Sequence, residues 1–146
     1  MRIMLGCDHG GFELKEVLKE YLADKGYDVD DAGTFTKERV DYPDMAEKVG
    51  ENIAAGEADL GILVCGTGIG MSIAANKIHG IRAALCGDCY SAQKAREHNN
   101  ANVICLGGRV LGTGLAEQIV DAFLHASFLG SYHETRVEKI MNLEKK

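Results

Sequence analysis

From Ile3 to Leu124, short apolar runs alternate with longer segments of helical period, and no linker or low-complexity stretch interrupts them. A chain with this alternation pairs its strands in parallel through right-handed crossovers and covers both sheet faces with helices, which excludes all-α and all-β architectures together. Residues 3–7 read as the first strand. Leu14, Leu18, Tyr21 and Leu22 then share one helical face, with Lys15, Lys19 and Glu20 outside it, until Gly26 stops the helix. Residues 27–31 form a weaker second strand, and Pro43 opens a helix carrying Met45, Val49, Asn52 and Ile53 toward Gly56. Residues 61–65 are a fully apolar third strand, followed by a helix over 69–77. A fourth strand over 81–86, a helix over 90–97, a fifth strand over 102–106 and a helix over 115–124 complete the pattern. The expected fold is a single-domain α/β/α sandwich over residues 1–146, Rossmann-like or flavodoxin-like, with a five-stranded parallel sheet in the order 2-1-3-4-5. An extra C-terminal helix over 132–143 carries Val137, Ile140 and Met141 at helical spacing. With the core already complete, that helix is expected to pack on a second subunit.

At 146 residues the chain can bury a full core without staples and is too short for an eight-fold β/α barrel. A net charge of -6 with no basic run argues against nucleic acid or an anionic membrane as partner, while leaving a small anion possible. The N-terminus meets Asp8 too soon for a signal-peptide core. The uncharged stretch from Leu60 to Ala75 falls short of the roughly 20 residues that span a bilayer. A cytoplasmic location is expected, with Cys7, Cys65, Cys86, Cys89 and Cys105 as reduced thiols, since five cysteines cannot all pair within one chain.

Ligands of open parallel sheets bind beyond the carboxyl ends of the strands, where strand order reverses. In the expected order that crevice lies between the first and third strands, whose exits are Asp8-His9-Gly10-Gly11 and Cys65-Gly66-Thr67-Gly68-Ile69-Gly70. The second loop holds part of a glycine excess, 18 in 146 residues where about 7 % is ordinary. Its spacing turns backbone N–H groups toward an anion at a helix N-terminus. The loop lacks the dinucleotide fingerprint, a Walker lysine, and the arginine a cysteine phosphatase carries six residues after its nucleophile, where Met71 stands.

Cys65 at the mouth of this loop is either a buried strand-end thiol or a base or nucleophile, since thiols beside helix N-termini ionise more readily. Asp8 can cap the next helix, and His9 can contact a phosphate or ring oxygen. His98 lies between a helix and the fifth strand, on the amino-terminal edge of its own sheet, so a catalytic His98 would reach a neighbouring subunit's crevice. Cys86-Gly87-Asp88-Cys89 has redox spacing, but the acid disfavours thiolate and no second pair completes a zinc site.

Gly6-Cys7-Asp8-His9, Asp41-Tyr42-Pro43, the block from Cys65 to Lys77, Gly80-Ile81-Arg82-Ala83 and Glu97-His98-Asn99-Asn100-Ala101-Asn102 together resemble the ribose-5-phosphate isomerase type B family, which includes galactose-6-phosphate isomerase subunits. The resemblance runs from the first strand to Arg136. It implies interconversion of an aldose phosphate and its ketose phosphate with no cofactor and no metal. It also implies Cys65 as the base between C1 and C2, and Thr67 with the N–H groups of Gly66, Gly68, Ile69 and Gly70 around the oxyanion. By the same resemblance His98 opens the sugar ring, assisted by Asp8, and Asn99 and Tyr42 line the sugar. His9, Arg109 and Arg136 contact the phosphate, and sites are shared within a homodimer or dimer of dimers.

The chain departs from the family at Tyr132, where members with ribose 5-phosphate activity commonly carry a second arginine. A phenol offers one hydrogen bond but neither charge nor fork. A six-carbon aldose phosphate such as allose or galactose 6-phosphate, or a free sugar, is the alternative substrate. A flavodoxin-like nucleotide-binding module is the alternative of another class.

Overall fold

A computed structural model describes residues 1–146. The strands are β1 (Arg2–Cys7), β2 (Asp28–Asp31), β3 (Leu60–Cys65), β4 (Ala83–Leu85) and β5 (Val103–Gly107). The helices are α1 (Phe12–Asp24), α2 (Tyr42–Ala54), α3 (Ile69–Ala75), α4 (Cys89–Asn99), α5 (Thr113–His125) and α6 (Tyr132–Asn142), with a final 3-10 turn at Leu143–Lys145. Local chemistry places the ends: Gly26, at φ +87, takes the left-handed position after α1, and the Tyr27 amide closes back onto the Leu22 carbonyl. Pro43 stands in the first turn of α2, as its missing N–H allows.

All strands pair in parallel, in the order β2-β1-β3-β5-β4, not with β5 at the edge as the sequence suggests. Every residue of β5 is buried, whereas β4 keeps three residues and leaves Leu85 exposed, so the continuous apolar strand takes the inner position. β4 is shorter than the expected 81–86 because side chains occupy the preceding backbone. Asn102 Oδ1 accepts the Arg82 amide at 2.8 Å, and its Nδ2 donates to the Gly80 carbonyl at 2.8 Å.

The corrected order moves a helix. The steps β1 to β2 and β4 to β5 run one way along the sheet, while β2 to β3 and β3 to β4 run the other. Right-handed crossovers therefore put α1 and α4 on one face, and α2 and α3 on the opposite face. The core divides accordingly. A cluster of 20 buried residues joins the sheet to α1, α4 and α5 through Leu14, Leu18, Ala92, Ile119 and Phe123. A cluster of 13 joins it to α2 and α3 through Val49, Ile53, Met71 and Ala75. Lys15, which the periodicity sets outside α1, is instead fully buried. The N-terminal part of α1 is roofed by residues 31–35, so its outer face meets protein there: Lys15 Nζ bonds Asp31 and lies 5.1 Å from the centre of the Phe35 ring.

Candidate active site

β3 is the centre of the site. The loops leaving β1 and β5 lead to helices on one face, and the loop leaving β3 leads to the other. The carboxyl edge of β1, β3 and β5 is therefore a crevice between diverging loops. Backbone bonds stitch its floor: the Asp8 amide donates to the Val64 carbonyl, Gly108 to Cys65 at 2.8 Å, and Arg109 to Gly66 at 3.0 Å. So close an approach excludes side chains. A Cβ on Gly11 would land on the Val64 carbonyl, and Gly68 at φ +81 holds the left-handed position that turns the chain into α3.

Cys65 ends β3 buried, and its Sγ accepts the Gly68 amide at 3.1 Å. Thr67 Oγ1 accepts the Ile69 amide at 3.2 Å, and the amides of Gly70 and Met71 in the first turn of α3 have no intrahelical acceptor. The Cys65 sulfur thus receives one backbone donor and lies next to further unpaired donors. Among the other thiols, burial pushes Cys7 up to about 11, burial and then Asp88 push Cys86 up to about 11, and burial raises Cys105. All five cysteines are free, and Asp88 caps α4 by accepting the Ser91 amide at 2.7 Å, so the Cys86–Cys89 pair serves a helix start.

The neighbouring groups converge on this loop. Asp8 is buried, and its Oδ1 accepts the amides of Gly10 and Gly11 at 2.9 and 3.1 Å, so one carboxylate oxygen shapes the turn while the other is left for a ligand. The Val40 amide donates to His9 Nδ1 at 3.3 Å. The Tyr42 ring lies over Gly70, close enough that a Cβ there would sit 2.6 Å from it. Arg109 lays its guanidinium over Gly66, with Nη1 3.4 Å from where a Cβ would be. Arg109 is thus held against the Cys65 loop of its own chain.

Four predicted residues lie elsewhere. α4 runs antiparallel to the strands, so His98 and Asn99 at its end stand on the amino edge of the sheet. A strand of this length spans about 17–20 Å, and one chain therefore does not bring His98 to Cys65. α6 adjoins that end of α4. The Leu129 amide donates to the Glu97 carbonyl at 3.0 Å, and the Arg136 guanidinium sits 5.0 Å from the centre of the Tyr132 ring. Tyr132, Arg136, His98 and Asn99 therefore form a second polar group. A cavity of about 620 Å³ opens at this amino edge between β4 and the C-terminal turn, and Asn99 and Arg82 line it.

His133 belongs to this second group, and sequence reasoning passed it over. It is buried and stacks on His98 with ring centroids 4.1 Å apart and planes 11° from parallel. The signal was available in the helical spacing of His133 with Val137, Ile140 and Met141. Burial, followed by the charges of His98, Arg136 and Lys94, holds His133 below the usual histidine range. Among the 44 buried residues, only Asp8, Lys15 and His133 are polar or charged. No three His, Cys, Asp or Glu side chains converge as a metal site, and no helix is long and apolar enough to cross a membrane.

The sequence pattern of the family described as Ribose/Galactose Isomerase matches residues 3–140. The chain is similar to ribose-5-phosphate isomerase B of Escherichia coli (strain K12), with 50 % identity over 145 residues covering 99 % of this chain and 97 % of that protein. It is similar to the galactose-6-phosphate isomerase subunit LacB of Clostridium acetobutylicum, with 49 % identity over 128 residues covering 88 % of this chain and 74 % of that protein. The solved structure of Clostridium thermocellum ribose-5-phosphate isomerase B superposes with a TM-score of 0.98 at 53 % identity, covering 99 % of this chain and 98 % of that one.

Proposed function

The chain belongs to the ribose/galactose isomerase family, and from that premise we propose that it interconverts ribose 5-phosphate and ribulose 5-phosphate, with Cys65 as the base. The observation that carries this reading is the Cys65 sulfur accepting the Gly68 amide at the head of a loop of backbone donors. In the aldose-to-ketose direction the Cys65 thiolate takes the proton from C2 of the open-chain sugar. Charge moves onto O1 and O2 of an enediolate, held by Thr67 and the loop amides from Gly66 to Gly70. The thiol then returns the proton to C1, while the O2 proton passes to O1, so that the ketone stands at C2 and no atom is gained or lost.

Ring opening needs a second acid–base group, and the placement of His98 supports a site closed by another copy of the chain. In a homodimer, or a dimer of dimers, His98 and Asn99 of one subunit face the crevice of the other, where Asp8 assists at the ring hydroxyls. His9 and Arg109 from the crevice and Arg136 from α6 hold the phosphate, and Tyr42 lines the sugar. The deciding experiment is ketose formation from ribose 5-phosphate, allose 6-phosphate, galactose 6-phosphate and the free sugars by the wild type and Cys65→Ala. The variant is expected to lose about 10²–10⁴ in kcat, the range for removing a positioned acid–base group. Unchanged turnover in Cys65→Ala would exclude the cysteine as base.

One observation favours a second reading. Tyr132 packs its ring on Arg136 where a second arginine would double the charge. A pocket with one guanidinium on that side suits a larger aldose phosphate or a free sugar, and a substrate panel that ranks allose or galactose 6-phosphate above ribose 5-phosphate would favour it.

A further inference from the structure

Lys15 is a fully buried lysine to which the proposed chemistry assigns no part. Its ammonium bonds both oxygens of Asp31, at 2.9 and 2.8 Å, and the Thr34 carbonyl at 2.7 Å, with Glu16 3.0 Å away and the rings of Phe12 and Phe35 above it. Its three N–H donors are fully used. A buried ion pair is a weak source of stability compared with apolar packing of the same volume, so stability is a poor account of a lysine here. What an ammonium does that a methionine cannot is grip a backbone carbonyl. Asp31 extends the grip by accepting the Gly33 amide at 2.9 Å, and Lys48 binds the adjacent Ala32 carbonyl at 2.9 Å.

The gripped turn is the start of residues 34–41, which form no helix or strand and end where α2 begins at Tyr42. The start of this segment is also tied to the end of β1, the Thr34 amide donating to the Cys7 carbonyl at 3.0 Å, and its far end returns to the crevice through the Val40 amide on His9 Nδ1. An imidazole nitrogen that accepts an amide hydrogen bond carries no proton, so this bond selects the Nε2–H tautomer and leaves one donor for an anion. We propose that Lys15 is a positioning residue for substrate binding: its hold on Asp31 and the Thr34 carbonyl sets the 34–41 segment so that Val40 presents His9 as an Nε2–H donor to the phosphate. This rests on His9 as a phosphate contact.

The test is Lys15→Met in the intact chain, read by nitrogen NMR of the histidine rings without substrate and by steady-state kinetics, with His9→Asn identifying the His9 signals. In the wild type, His9 is expected as a single Nε2–H tautomer. In the folded variant it becomes a mixture, and KM for ribose 5-phosphate rises roughly tenfold while kcat changes less than about twofold, as the weakening of one hydrogen bond to a charged group implies. Should Lys15→Met not fold, Asp31→Asn loosens the same grip without uncovering an apolar gap and is expected to move both readouts the same way. A wild-type His9 without a fixed tautomer overturns the proposal. So does a folded variant whose tautomer and KM are unchanged, or one whose tautomer is lost with KM unmoved. A wild type inactive on every sugar phosphate refutes the isomerase reading instead, and the NMR measurement still decides whether Lys15 sets the His9 ring.

Discussion

Mixing two inactive variants, Cys65→Ala and His98→Ala, is expected to restore activity, and the geometry sets how much. Cys65 stands on the carboxyl edge and His98 on the amino edge of one sheet, separated by the length of a strand, about 17–20 Å. If each crevice is closed by His98 of the other subunit, a mixed dimer has one site lacking both groups and one site with both. Random exchange at equal amounts makes about half of all dimers mixed, and half of their sites are intact, so about a quarter of wild-type activity returns. Recovery follows the product of the two subunit fractions and peaks at the equal mixture. A control comes from the same map: Asp8 lies on the edge that holds Cys65, so Cys65→Ala mixed with Asp8→Asn leaves every crevice with a defect and gives no recovery above the parents. The assay is ketose formation after dilution and re-association, with exchange confirmed by native mass spectrometry of a mass-tagged subunit. Confirmed exchange with no recovery in the first pair, or equal recovery in both pairs, would refute the shared site.

Gly11→Ala forces its methyl onto the Val64 carbonyl and is expected to lower stability by about 3 kcal/mol in urea unfolding, the upper range for overpacking. Gly87→Ala, with open space around the added carbon, is expected to stay within about 0.5 kcal/mol, and similar losses in the two would refute the packing argument. Tyr132→Arg adds a second guanidinium beside Arg136 and is expected to lower KM for phosphorylated sugars roughly tenfold while leaving free sugars unchanged. An equal effect on both kinds of sugar would place Tyr132 outside the phosphate pocket. His133, held below the ordinary pKa of about 6.5 by burial and neighbouring cations, stays neutral in the folded chain while the unfolded chain takes up a proton first. Its contribution is therefore present above about pH 6.5 and is lost as pH falls toward the depressed value. His133→Phe should flatten the drop in urea midpoint between about pH 7.5 and 5.5, and an unaltered drop would reject the assignment.

β1, β3 and β5 were legible because each is an unbroken apolar run, and burial on both sheet faces leaves no polar alternation to confuse. Their order was harder, since sequence does not state which of two consecutive strands lies outside. Arg82 within the expected fourth strand was the clue: a half-buried guanidinium that donates to the Asn100 carbonyl belongs at an edge, not inside a sheet. The crevice loops were legible because glycine follows strands where close backbone contact demands it. Lys15 and His133 were misplaced or missed for a shared reason. Helical periodicity ranks residues by apolarity, and a polar residue buried with its own partners is invisible to that ranking until the partners, here Asp31 and His98, are brought in from other elements.

The acidic balance of the chain and its affinity for a phosphate are compatible because the two are separated in space. Much of the acid is exposed or paired away from the crevice: Asp31 with Lys15 and Lys19, and Asp121 with Lys25 and the Tyr21 hydroxyl. Within the crevice the one buried carboxylate, Asp8, spends an oxygen on the Gly10 and Gly11 amides, which draws its charge toward the backbone. What remains facing a ligand is Arg109 over Gly66, the donors of the Cys65 loop, and His9 set by Val40. Backbone donors do not titrate and carry no side-chain entropy, so such a site is organised before the anion arrives. Arg109 is the one guanidinium held against the Cys65 loop, and Arg136 lies on α6 at the opposite edge. On the proposed assembly, pairing two chains supplies both the ring-opening acid and the second phosphate cation, because His98 and Arg136 stand on the same edge. Losing the dimer would then weaken phosphate binding and ring opening together, while the backbone donors of the Cys65 loop stay in place.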